Sequence, residues 1–124
     1  MLSLPTKHVL KALLALGEHE RGEYTSVSEL SRAADLPSSY LSKLIKQLSE
    51  AEIVLTRKGP KGGVALPRKK ISFFEVCEAL EDPIVFDSCL LSRKACSKDS
   101  PCPLHPEWSK ERKRIQGFLR KLSI

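Results

Sequence analysis

The segment CLLSRKACSKDSPCPLH, residues 89–105, gathers Cys89, Cys96, Cys102 and His105 in a chain with four cysteines in all. Side chains at these positions cannot share one helical face, and the Ser, Lys, Asp and Pro between them mark a polar loop. Three thiols and an imidazole on such a loop are soft-metal ligands, able to hold zinc or an iron–sulfur cluster. The gaps of six and five residues between the cysteines are not those of the paired knuckles of zinc ribbons. Arg93, Lys94 and Lys98 lie among the thiols and favour their thiolate forms. Cys77 stands apart on an apolar stripe and reads as a small core residue.

The rest of the chain must position this loop. At 124 residues it is long enough for one domain with a modest core and an appended helix. No apolar run reaches membrane-spanning length, and the N-terminal stretch lacks a small-residue cleavage site. The expectation is a cytoplasmic protein, in which reducing conditions favour metal or redox roles for clustered cysteines. The net charge is +6. Arg57, Lys58, Lys61, Arg68, Lys69 and Lys70 fall in residues 53–70 with no acidic residue among them. That strip suits a solvated face or a nucleic-acid backbone.

Leu10, Leu13, Leu14 and Leu16 predict an amphipathic helix over 6–19. Ser26 and Glu29 have capping-box spacing and start a short helix that stops near Asp35. Pro37 then opens a second helix with Leu41, Leu44, Ile45 and Leu48 as its buried stripe. Two helices joined by so short a turn form a helix-turn-helix. IVLT and VALP, separated by RKGPKGG, predict a β-hairpin with a basic, glycine-rich tip. Ser72 and Glu75 repeat the capping-box spacing ahead of Phe73, Val76, Cys77 and Leu80. After the cysteine loop, Trp108, Ile115, Phe118 and Leu122 recur at intervals of seven, three and four, a coiled-coil-like stripe on an otherwise charged helix.

The fold expected is mainly α with a small β-hairpin wing: a winged helix-turn-helix over 1–82, a cysteine-rich loop over 83–105 and a C-terminal dimerisation helix over 106–124. The candidate DNA contacts are Ser38, Ser39, Tyr40, Ser42 and Lys43 at the head of the second helix, with Arg57, Lys58 and Lys61 on the wing. Trp108, Ile115, Phe118 and Leu122 are the candidate interface of a homodimer. No Gly-rich phosphate loop, Ser-His-Asp set or supported carboxylate pair is present, so neither an enzyme nor a small-molecule substrate is expected. A redox protein would want a Cys-x2-Cys pair, which is also missing.

Taken in order, TKHVLKALLAL, LPSSYLSKLIKQL, RKGPKGGVALP, ISFFEVCEALEDP and the Cys89–His105 loop with its following helix resemble the Rrf-type winged-helix transcription regulators, in their IscR/NsrR-like iron–sulfur branch. The resemblance covers nearly the whole chain. It implies a homodimer bound to double-stranded operator DNA and controlled by a cluster that senses redox state, cluster supply or nitric oxide. Carried over by position, Cys89, Cys96 and Cys102 are cluster ligands and His105 matches the histidine ligand of 2Fe–2S members. Lys7 stands where nitric-oxide-sensing members place an aspartate, so 2Fe–2S is the expected cluster, with 4Fe–4S the other candidate. A zinc-stabilised or cluster-free regulator is the alternative.

Overall fold

The computed structural model describes residues 2–86 and 103–124; Cys89, Cys96 and Cys102 lie outside them. The element order is α1 (Leu4–Leu16), α2 (Val27–Ala34), α3 (Ser38–Glu50), β1 (Leu55–Arg57), β2 (Gly63–Ala65), α4 (Phe73–Ala79), a 3-10 turn (Pro83–Val85) and α5 (His105–Lys121). This is the expected mainly helical fold with a hairpin wing.

Each helix start has a local cause. The Ser3 hydroxyl accepts from the Thr6 N–H and Pro5 sits in the first turn of α1. Ser26 caps α2 through the Glu29 N–H. Ser72 and Glu75 form the full reciprocal capping box of α4. α2 ends at Asp35, whose φ of 56° turns the chain left-handed into α3.

α1, α2 and α3 pack Val9, Leu10, Leu13, Leu16, Leu30, Leu41, Leu44, Ile45 and Leu48 into one core, closed by Ile53, Val54, Val64, Leu66, Ile71 and Val76. Leu14 departs from the expected stripe and points to solvent. A second cluster, Cys77, Ile84 and Leu119, joins α4, the 3-10 turn and α5, with Trp108 and Ile115 partly buried against it. The strands pair Leu55 with Ala65, Thr56 with Val64 and Arg57 with Gly63. Thr25 adds a bridge on the other side of Val64, exchanging backbone hydrogen bonds of 2.9 and 2.8 Å.

Three boundaries need correction. The first helix runs over Leu4–Leu16 rather than 6–19, because Ser3 caps its start and Gly17 is its C-cap. The last helix begins at His105 and ends at Lys121 rather than running over 106–124, because residues 122–124 turn extended and pair with 71–73. Phe73 N–H donates to Leu122 O at 2.9 Å and Ile124 N–H to Ile71 O at 2.8 Å. Leu122 is therefore the C-cap residue and not part of the helical stripe. The segment expected to be loop over 83–105 opens with the 3-10 turn, in which Ile84 is buried.

Asp82 ties this corner to the start of α1. Its buried carboxylate accepts from the Ser3 N–H at 2.8 Å and the Ile84 N–H at 2.9 Å. Burial alone would raise its pKa. The hydrogen bonds from Ile84, Ser3 and the Thr6 hydroxyl outweigh that and hold the group below the usual carboxylate range.

Candidate nucleic-acid interface and metal centre

The first turn of α3 is held from behind. Ser38 shares a 3.0 Å hydrogen bond between hydroxyls with Ser31 of α2, and the Tyr40 hydroxyl shares one of 2.9 Å with His8 Nδ1 of α1. Ser39, Ser42 and Lys43 are exposed, on the side of the helix away from its buried stripe. Pro37 supplies no side-chain cap, so the first backbone N–H groups of α3 have no side-chain acceptor of their own. A free helix N-terminus beside hydroxyls and a lysine can bind phosphate oxygens.

The wing presents Lys58 and Lys61 to solvent around Gly59, whose φ of 103° the turn requires. Arg57 is placed differently from the tip lysines. Its guanidinium lies 4.3 Å over the ring of Tyr24, so a cation–π contact holds it at the wing root. Gly63 makes the root possible: a Cβ there would come within 2.0 Å of the Thr25 carbonyl oxygen. Arg21 closes the exit of the wing, donating to the carbonyls of Pro67 at 2.8 Å, Lys69 at 3.0 Å and Ile124.

Of the cysteine–histidine set, His105 is described. It is the first residue of α5, is half-buried, and its Nδ1 is buried without a hydrogen-bond partner among the described residues. A buried imidazole nitrogen with nothing to bond is an uncommon cost in a finished fold, and it fits a metal ligand. Cys77 belongs elsewhere. It is fully buried, and burial together with the nearby Asp82 carboxylate pushes its thiol up to about 12, leaving it protonated and inert.

α5 is only partly covered. Arg112 and Leu119 are its buried residues, Trp108 and Ile115 are half-buried, and Phe118 is 59% exposed. Phe118 lines an apolar groove of about 250 Å³ with Leu2, Ile84, Ile115 and Leu119. Gln116 Nε2 donates to the Ile84 carbonyl at 2.7 Å, and Arg120 lies 4.0 Å over the Phe74 ring. Sequence reasoning missed His8, Arg21, Tyr24 and Leu119. Only Leu119 had a local signal, four residues after Ile115.

A helix-turn-helix followed by a basic two-stranded wing defines a winged-helix protein of the DNA-binding regulator class. The chain belongs to the Rrf2 family, whose description is iron-dependent transcriptional regulator and whose profile matches residues 2–124. It is 32% identical over 117 residues to an HTH-type transcriptional regulator, so named, of Aquifex aeolicus, covering 91% of this chain and 79% of that one. A similarly named regulator of Haemophilus influenzae is 27% identical over 120 residues, covering 95% and 79%. The fold is that of CymR, the global cysteine regulator of B. subtilis (TM-score 0.78, 21% identity, 99% of this chain and 92% of that one). It is equally that of T. potens IscR (TM-score 0.76, 21% identity, 99% and 82%). The protein is a transcriptional regulator of this family, and its relatives are named as regulators rather than enzymes. No helix among the described residues is long and apolar enough to cross a membrane.

Proposed function

We propose that the protein is an operator-binding dimer whose DNA affinity is set by an iron–sulfur cluster, 2Fe–2S in the first instance, on Cys89, Cys96, Cys102 and His105. The observation that carries this reading is the buried Nδ1 of His105 at the head of α5, which has no hydrogen-bond partner among the described residues. The donor set, three thiols and one imidazole, and the family's iron-dependent description support it. When bound, the cluster supplies a redox-active centre whose presence depends on iron and oxidant.

The chain's own residues link that position to the DNA surface. His105 opens α5. Gln116 and Arg120 fix α5 to the 3-10 turn and to α4. Residues 122–124 pair with 71–73 where the wing exits, and Arg21 binds both. In this scheme Ser39, Ser42 and Lys43 face the major groove, with Ser38 and Tyr40 shaping the same turn. Lys58 and Lys61 meet the phosphates or minor groove, with Arg57 at the wing root. A second copy covers the groove lined by Phe118 and Ile115, with Trp108 and Leu122 as the other residues assigned to that interface.

The test is the visible spectrum with iron and sulfide content of protein purified without oxygen. Single Ala replacements at Cys89, Cys96 and Cys102 are expected to abolish the chromophore, His105→Ala to alter it, and Cys77→Ala to leave it intact. Stoichiometric zinc in a colourless protein would give the loop a structural role instead. Absence of any metal would make this a cluster-free regulator.

A further inference from the structure

His8 has no part in the scheme above, yet it is hydrogen-bonded to a residue that does. We infer that His8 is a positioning residue for operator recognition, acting through Tyr40 at the head of α3. The inference rests on α3 being the element that reads the operator.

Tyr40 is the third residue of α3. Its ring packs on the core, and its hydroxyl lies 2.9 Å from His8 Nδ1. The two rings stand edge to face, with centroids 5.5 Å apart at 82°. Both residues are half-buried, so the bond sits where water competes little with it. Ser38 is tied to Ser31 in the same turn. The opening of α3 is thus anchored to α1 through His8 and to α2 through Ser31, while Pro37 offers no side-chain cap to order it locally.

A helix start with no cap of its own frays. Two ties from behind fix the angle at which Ser39, Ser42 and Lys43 face outward. Such preorganisation raises affinity for the matched surface and does little for an unmatched one. Loss of His8 leaves the exposed cations in place, Lys7 and Lys11 on the same helix and Lys43 on α3. Sequence-independent attraction to phosphates therefore persists. The Tyr40 hydroxyl, engaged by His8, serves as a brace rather than as a direct reader of bases.

The experiment measures equilibrium affinity of the full chain for two duplexes of equal length. One is the sequence that the wild-type protein enriches from a random pool; the other is its scrambled counterpart. His8→Ala is expected to weaken binding to the enriched duplex roughly three- to tenfold, the range of one lost hydrogen bond, and to leave the scrambled duplex unaffected. Tyr40→Phe should do the same, the double variant should be no worse than either, and His8→Asn, whose amide reaches the place of Nδ1, should recover most of the loss. An unchanged ratio of affinities in His8→Ala overturns the inference. So does a Tyr40→Phe loss that is larger and additive, which would give the hydroxyl to the DNA. Equal weakening on both duplexes together with a lower melting temperature would mean that His8 serves stability alone. Lys43→Ala is run alongside: if it changes neither affinity, α3 is not the reading element and both readings fall; if it weakens the enriched duplex while His8→Ala does not, only the His8 inference falls.

Discussion

α3 buries all four residues of its apolar stripe, Leu41, Leu44, Ile45 and Leu48, within thirteen residues, whereas the seventeen residues of α5 bury only Arg112 and Leu119. Their environments explain the contrast. α3 is enclosed by α1, α2 and α4, so its stripe meets apolar surface on each side. α5 touches α4 and the 3-10 turn along one edge and leaves Phe118 over an apolar groove. Where one helix is finished by its own chain, the other has apolar surface to spare. The helix-turn-helix is a closed unit that can carry a DNA-reading face. α5 is an open unit, with Phe118 exposed on the face where the proposed second copy binds.

The sharpest way to break this contrast is to charge the open face. Each large apolar side chain that a second copy buries is worth roughly 1.5–3 kcal/mol, and an aspartate at the centre of the groove adds an unpaired charge to bury. Phe118→Asp is expected to sediment as a monomer and to lose most operator affinity, with the far-UV spectrum unchanged. A dimer of wild-type strength would place the interface elsewhere.

A smaller effect is expected at Asp82, which joins the two regions by linking the start of α1 to the 3-10 turn. Its folded pKa is lowered. The stability it contributes is therefore present above the unfolded carboxylate value of about 3.9 and is lost as pH falls through the lower folded value. Asp82→Asn should lower stability by about 2–3 kcal/mol at neutral pH, the cost of charge-assisted hydrogen bonds weakened or lost. Thermal melts from neutral to acid pH should show the gap between wild type and variant narrowing below about pH 4. A gap that is constant with pH would mean that the carboxylate charge is not what joins them.

The smallest expected effect lies inside the closed unit. Asp35 adopts φ 56° at the turn between α2 and α3, a conformation that costs most residues about 1 kcal/mol or more. Asp35→Gly should raise stability by up to about 1 kcal/mol with no change in DNA affinity, checked by denaturant unfolding. A loss of stability would mean that the aspartate makes up its backbone cost through its side chain.

Much of the fold was legible because its signals are local. Ser26, Ser72 and Glu75 announced helix starts within four residues of themselves, and the glycines of RKGPKGG marked the wing. What escaped is what depends on partners distant in sequence. The Tyr40 partner is 32 residues away, at His8. Nothing near Arg57 announces that Tyr24 will hold it. The end of α5 was misplaced because heptad spacing carries straight through Leu122, while the pairing of 122–124 with 71–73 is made only in the folded chain. The proposed metal donors were picked out by residue type and spacing alone, and three of them lie outside the described residues. The unpartnered nitrogen of His105, by contrast, required the fold.

The most direct measurement of the central claim follows DNA affinity and visible absorption together. Protein purified without oxygen is titrated onto its enriched duplex before and after its iron is removed by a chelator, with Cys77→Ala and Cys96→Ala in parallel. The expected result is that wild type and Cys77→Ala change affinity as their colour is lost, while Cys96→Ala starts colourless with the affinity of the stripped protein. Affinity that stays constant as the colour disappears would contradict control of DNA binding by the cluster.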